Sequence, residues 1–188
     1  PGGEIRIGGE PEQGGFNMMR ELRLSGAKLV GVRGRGVFDQ ARGKSTQVTT
    51  MAIMDLGGRD LVKLCERTVE NDLARRVFDE AAEFSELNTW TASRDGLIYS
   101  APERDAWAVN VRGLDGAVAR TLRRPFTPRK RDAADKAALT DGMLVIVNGV
   151  RQPMESKTLD HDPAILRLNA AAAGRLFVTN CLQRRELL

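Results

Sequence analysis

The sequence predicts a mostly β protein, an array of four-stranded antiparallel meanders with short helical insertions. Three observations carry that prediction: short alternating apolar runs punctuated by Gly and Asp, a near absence of helical periodicity, and one hairpin layout that recurs three times. In LRLSGAKLVGV (22–32) two apolar runs flank Ser25-Gly26, where a hairpin turn needs a permissive backbone. WTASRDGLIYSA (90–101) repeats the layout around Asp95-Gly96, and ILRLNAAAAGRLFVTN (165–180) repeats it with Gly174 before the second run. A second hairpin follows each of the first two, with turns at Leu56-Gly57-Gly58 (within 51–68) and Leu114-Asp115-Gly116 (within 107–122). Two hairpins in series make a meander. Asp132 to Leu139 is Ala-rich with Asp132 placed to cap a helix, and 71–82 supplies another turn or two. MLVIV (143–147) reads as a strand and VNGVRQP as a polar turn after it.

The turn glycines Gly26, Gly96 and Gly174 recur at intervals of 70 and 78 residues, whereas the second turns, beginning at Leu56 and Leu114, lie 58 apart. The difference of 12 is assigned to the inner connection: Arg33 to Gln47 reads as a long Gly- and Arg-rich loop, and Pro102 to Asp105 as its short counterpart. A period this long, built from four strands, predicts propeller-like blades. The expectation is a single partial β-propeller domain over 1–188, with blade-like units at about 22–70, 88–126 and 163–188 and an insertion at about 127–162.

The run DGLIYSAPERDAWAVNVRGLDGAVARTLRRP (95–125) resembles the blade signature of the six-bladed β-propeller superfamily related to NHL repeats. There a "DG.ly.a" hairpin precedes a strand ending in "v.d.dG". The returning ILRL…GRLFV unit is similar to bacterial members of that superfamily, and the likeness spans Leu22 to Asn180. It implies a propeller scaffold, which hosts binding modules, lyases and hydrolases alike. A full ring needs about 250 residues at ~40–45 per blade. The chain is therefore read as an open array whose edges a partner covers, or as part of a longer protein, a reading to which Pro1 in place of an initiator Met and the abrupt CLQRRELL end also point.

Composition narrows the chemistry. The chain has 188 residues, 41% hydrophobic and 29% charged, and its longest apolar run is strand-sized, so no transmembrane segment is expected. The net charge of +4 favours acidic partners mildly, but 5% aromatics is too few for the stacking platforms of single-strand binders, which disfavours nucleic acid. Cys65 and Cys181 are too few and too far apart for a metal knuckle or a redox pair, and read as free thiols or one long-loop disulfide. His161 is the only histidine, which removes multi-histidine metal sites, including the set that the resemblance implies for amidating lyases. In DHDP (160–163), neighbouring side chains on an extended chain diverge, so a turn before Pro163 is expected. GGEPEQGG (8–15) lacks the Lys-Ser/Thr of a phosphate loop. Trp90 and Trp107 read as core, and the acids Glu66, Glu70, Asp72, Asp79, Glu80, Glu83 and Glu86 single out no acid–base pair.

Arginine remains. Arg33 and Arg35 in GVRGRG, and the cluster Arg120, Arg123, Arg124, Arg129, Lys130 and Arg131 around Pro125 and Pro128, are the candidate partner-binding residues. No catalytic, cofactor-binding or metal residue is assigned, and no cofactor is expected. The functional expectation is a non-catalytic protein-binding or structural module, an accessory subunit of a larger assembly. It would dock through blade edges and the loops 33–47 and 123–163 on an acidic protein surface or anionic lipid heads, in an extracytoplasmic, periplasmic or membrane-peripheral location. The alternative is a propeller-type hydrolase or lyase whose catalytic residues lie outside these residues.

Overall fold

A computed structural model describes residues 15–73, 77–141, 143–147, 150–171 and 175–180. Strand β1 (Gly15–Ser25) turns at Gly26 into β2 (Lys28–Asp39), followed by β3 (Lys44–Met54) and β4 (Asp60–Asp72), in sheet order β1-β2-β3-β4 with every pair antiparallel. Gly26 holds φ +56°, and a Cβ there would lie 3.3 Å from the Leu114 Cδ1 and 3.9 Å from the Gly96 Cα, so the turn needs glycine for conformation and for space.

The long loop expected over 33–47 is instead two strand arms. Pairing runs unbroken from Leu29↔Met54 to Asp39↔Lys44, and only residues 40–43 turn. The reason is period two: Arg33 and Arg35 point to one face of β2, Gly34 and Gly36 to the other, so the Gly- and Arg-rich stretch is a strand with one bare face. The 12 extra residues lengthen a hairpin.

After β5 (Val77–Asp79) comes a single helical turn, α1 (Glu80–Glu83), capped by the Asp79 carboxylate, which accepts from the Ala82 N–H at 3.2 Å. The helix expected over 71–82 is thus shorter and later, because β4 extends to Asp72. The second sheet is β6 (Trp90–Ala92), β7 (Ile98–Ser100), β8 (Ala108–Arg112) and β9 (Val118–Arg123), again in chain order and antiparallel. Helix α2 (Ala133–Thr140) begins at the expected cap: Asp132 and Asp135 each accept from the other's backbone N–H. The expected strand at 143–147 is β10 (Leu144–Val147), paired with β11 (Val150–Pro153); residues 148 and 149 of the turn lie outside the described residues. β12 (Glu155–Lys157) runs parallel to β5, and β13 (Arg167–Ala170) pairs with β14 (Leu176–Thr179); Gly174 lies outside the described residues.

Alternation along these strands builds three apolar clusters, the smallest being Leu29, Ala52 and Met54 with Met19 on the first sheet. Val30, Val32, Met51 and Ile53 of the first sheet pack on Trp90, Ala92 and Ile98 of the second and on Leu87 just before it. The opposite face of the second sheet, with Tyr99, Val109 and Val111, packs on Ile165, Leu168, Leu176 and Val178 around the β13–β14 hairpin. The hairpin tips are joined as well: the Gly26 N–H donates to the Arg94 carbonyl at 3.0 Å and the Ser25 hydroxyl to the Ser93 carbonyl at 2.8 Å.

The mostly β expectation and the antiparallel meanders stand; the six-bladed, NHL-like propeller does not. Among the described residues there is no closed ring, and the three units are unequal. The first has strands of 11–13 residues, the second of 3–6, and the third pairs only two strands. Gly-turn chemistry is common to every antiparallel hairpin, so the glycine interval and the DG…GLDG run report meanders and carry no information about ring closure.

Candidate functional site

Alternating charge on two stretches far apart in sequence builds the most strongly held feature. Residues 129–131 and 160–162 lie antiparallel, with the Arg131 N–H donating to the Asp160 carbonyl at 2.9 Å and the Asp162 N–H to the Arg129 carbonyl at 3.0 Å. Arg131, its side chain 3% exposed, places both terminal nitrogens on Glu80 at 2.7 and 2.9 Å and its Nε on Asp162 at 2.6 Å. Arg104, 8% exposed, reaches Glu80 at 2.6 Å, Asp105 at 2.6 Å and the His161 carbonyl at 2.7 Å. Arg129 bridges Asp162 at 2.6 Å and Asp135 of α2 at 2.7 Å. Burial opposes the charge on Glu80, but donors from Arg131, the Leu159 N–H and Arg104 outweigh it and hold its carboxyl at about 2. Burial likewise opposes ionisation of Asp105, and the hydrogen bonds from Arg104 and His161 still keep it below the ordinary carboxylate range. The cluster is saturated: each arginine fork meets acceptors, and it ties α1, α2 and the inserted segment to the second sheet.

This accounting sorts the candidate arginines. Arg129 and Arg131 are spent inside the cluster. Arg33 pairs bidentately with Asp60, and Arg35 is engaged with its surroundings as well. Arg123 bridges Glu103 at 3.0 Å, and Lys130 stands within electrostatic reach of Asp160, whose carboxylate Lys136 holds. Arg120 is exposed with no acidic partner among the described residues, and Arg124 lies 4.4 Å from the centroid of the Trp107 ring, also without an acid. Both stand at or just beyond β9, the outer strand of the second sheet, where every residue but Leu122 is exposed.

A cleft escaped the sequence reading. Where the long strands of the first sheet overhang the short second sheet, a cavity of about 430 Å³ is lined by residues of β1, β3 and β4 together with Val77, Phe78 and Met154. One cross-strand row on that face is Met18–Gly34–Thr49–Arg67 and the next is Phe16–Gly36–Gln47–Val69, so each row lacks a side chain at its glycine. The Phe16 ring lies over Gly36, and Met18 and Gln47 lie against Gly34, where a Cβ would meet Met18 Cγ at 3.4 Å and Gln47 Nε2 at 3.7 Å. Arg67 is fixed by the Ala82 carbonyl and by Glu83 at 3.6 Å. Arg20, at the bulge between Met19 and Glu21, also lines the cavity.

Other chemistry is sparse. The DHDP side chains diverge as expected, Asp160 to Lys136, His161 to Asp105 at 3.0 Å, and Asp162 into the ion cluster. Desolvation, with Glu86 alongside, pushes the Cys65 thiol up to about 12, away from nucleophilic use at neutral pH; Cys181 lies outside the described residues. Trp90 is buried in the first core. Among the described residues no group of three or more His, Cys, Asp or Glu is placed to hold a metal ion, and no helix is long and apolar enough to cross a membrane. No family model, no curated protein and no solved structure matches the chain, so the propeller likeness has no support from relatives either.

Glu80, among the scattered acids, and Asp162, within DHDP, carry no assigned role in the sequence reading, and Arg104 is not named there. A signal existed: Arg129/Arg131 and Asp160/Asp162 alternate with the same period and opposite sign, the pattern of facing extended segments.

Proposed function

We propose that the protein is a non-catalytic docking module, an accessory subunit that seats an acidic face of a partner protein on β9 and the chain just after it. One observation supports this reading: most described arginines are neutralised internally, whereas Arg120 and Arg124 stand at one exposed sheet edge with no acidic partner among the described residues. Arg124 is held over the Trp107 ring, so its guanidinium is presented with less freedom to lose on binding. An extracytoplasmic location belongs to the same proposal and is checked by fractionating the native source. The hydrolase or lyase alternative rested on a propeller and is not carried forward.

The test is purification of the intact protein from its source, followed by titration of the co-purifying partner against wild type and the Arg120→Glu/Arg124→Glu variant. Reversing both charges weakens binding by about tenfold or more, and added salt weakens the wild type alone. Equal affinity of the two proteins, or retention by anionic vesicles in place of a protein, sinks the proposal.

A further inference from the structure

We propose that the cleft over the long end of the first sheet is a binding site for a small amphipathic carboxylate. The cavity, about 430 Å³, falls within the ~300–1,000 Å³ range of small-molecule pockets and draws its walls from the first sheet, the β5–α1 segment and Met154. Its sheet side is formed by side chains of β1, β3 and β4, with Met18 and Gln47 lying against Gly34, where a Cβ would come within 3.4 and 3.7 Å of them.

The lining specifies the ligand. Met18, Val69, Phe78 and Met154 offer an apolar, partly polarisable surface suited to a short alkyl or thioether chain. Gln47 and Asn71 present side-chain amides that make no hydrogen bond among the described residues. Two arginines and one acid line the cavity, and Arg67 with Glu83 forms a closed pair. The remaining charge is Arg20, which lines the cavity beside the bulge at Met19/Glu21 and is exposed and without an acidic partner among the described residues. Among the described lining residues, one unpaired cation facing an apolar wall and free amides selects a carboxylate with an apolar tail over a neutral or cationic molecule of the same shape. The site is separate from β9, so it stands or falls independently of the docking proposal.

The experiment titrates ¹⁵N-labelled full chain with hexanoate, hexan-1-ol and hexylamine, following amide shifts. Hexanoate is expected to shift residues of β1 to β4 around the cleft with a Kd in the millimolar range, hexan-1-ol to bind at least about fivefold more weakly, and hexylamine not to bind. Arg20→Gln erases the preference for hexanoate over hexan-1-ol while both still bind. Gly34→Leu abolishes binding of both, since its Cβ would already meet Met18 Cγ at 3.4 Å and Gln47 Nε2 at 3.7 Å and the rest of the side chain displaces these two lining residues into the cleft. Should Gly34→Leu melt far below the wild type, Met18→Trp fills the cleft from an edge-strand position that is 47% exposed. The proposal is overturned by absence of hexanoate binding, by equal binding of hexylamine, by a hexanoate preference that survives Arg20→Gln, or by binding that persists in both filled variants.

Discussion

Two halves of one basic stretch meet opposite fates. Arg129 and Arg131 are drawn into a buried cluster and meet Glu80, Asp135 and Asp162, while Arg120 and Arg124 remain at the sheet edge with no acidic partner among the described residues. The difference lies in what the fold sets opposite each: 129–131 face 160–162 under the roof of Glu80, whereas β9 is an edge with no described strand beyond it. Formal charge along a chain therefore does not map onto surface charge, and counting arginines overstates the docking surface.

The comparison breaks most sharply at Glu80. Glu80→Ala leaves the Arg104 and Arg131 guanidinium groups, 8% and 3% exposed, without their shared carboxylate and is expected to cost about 3–5 kcal/mol in urea denaturation. A loss below about 1 kcal/mol would place these arginines with the exposed ones. The acid limb of stability gives the next largest effect. The Glu80 carboxyl is held at about 2 against an ordinary 4.5, so its contribution, of order 3 kcal/mol, is present above pH about 4.5 and is lost as pH falls from there through about 2. Thermal melts across that range should show the decline in the wild type and a flatter profile in Glu80→Gln.

Smaller effects are expected on the exposed side. Arg124→Ala forfeits the contact with the Trp107 ring and costs about 0.5–1 kcal/mol in stability. Arg33→Ala breaks a half-exposed pair with Asp60 and costs about 0.2–1 kcal/mol, shrinking in high salt. Arg120→Ala is expected to change stability by less than about 0.5 kcal/mol while still weakening partner binding. A large destabilisation there would mean that Arg120 has an internal role and would erase the distinction between the two halves.

Sequence and structure divide along lines of range. The hairpins at Gly26 and Gly96, the turns at 56–58 and 114–116 and the Asp132 cap were legible because each depends on residues within a few positions of one another. The arms over 33–47 differ from the expected loop because alternation along a strand outweighs Gly-Arg composition, and the cleft depends on the same pairing: Met18, Gln47 and Thr49 line one cavity only once β1 to β4 are in register. The propeller reading failed for a related reason, since local turn signals repeat in any meander while ring closure depends on how many sheets pack together and how equal they are.

By itself, the sequence determined the class of structure: mostly β, antiparallel, hairpin by hairpin, with a capped helix in the inserted segment, because period-two patterning and turn chemistry act through neighbouring residues. Tertiary structure alone decided which arginines are neutralised, which carboxylate becomes a hub and where a cavity opens. Those outcomes turn on pairs such as Glu80 with Arg131 and Arg129 with Asp162, brought within hydrogen-bond reach across long stretches of chain by sheets that bury their apolar faces together.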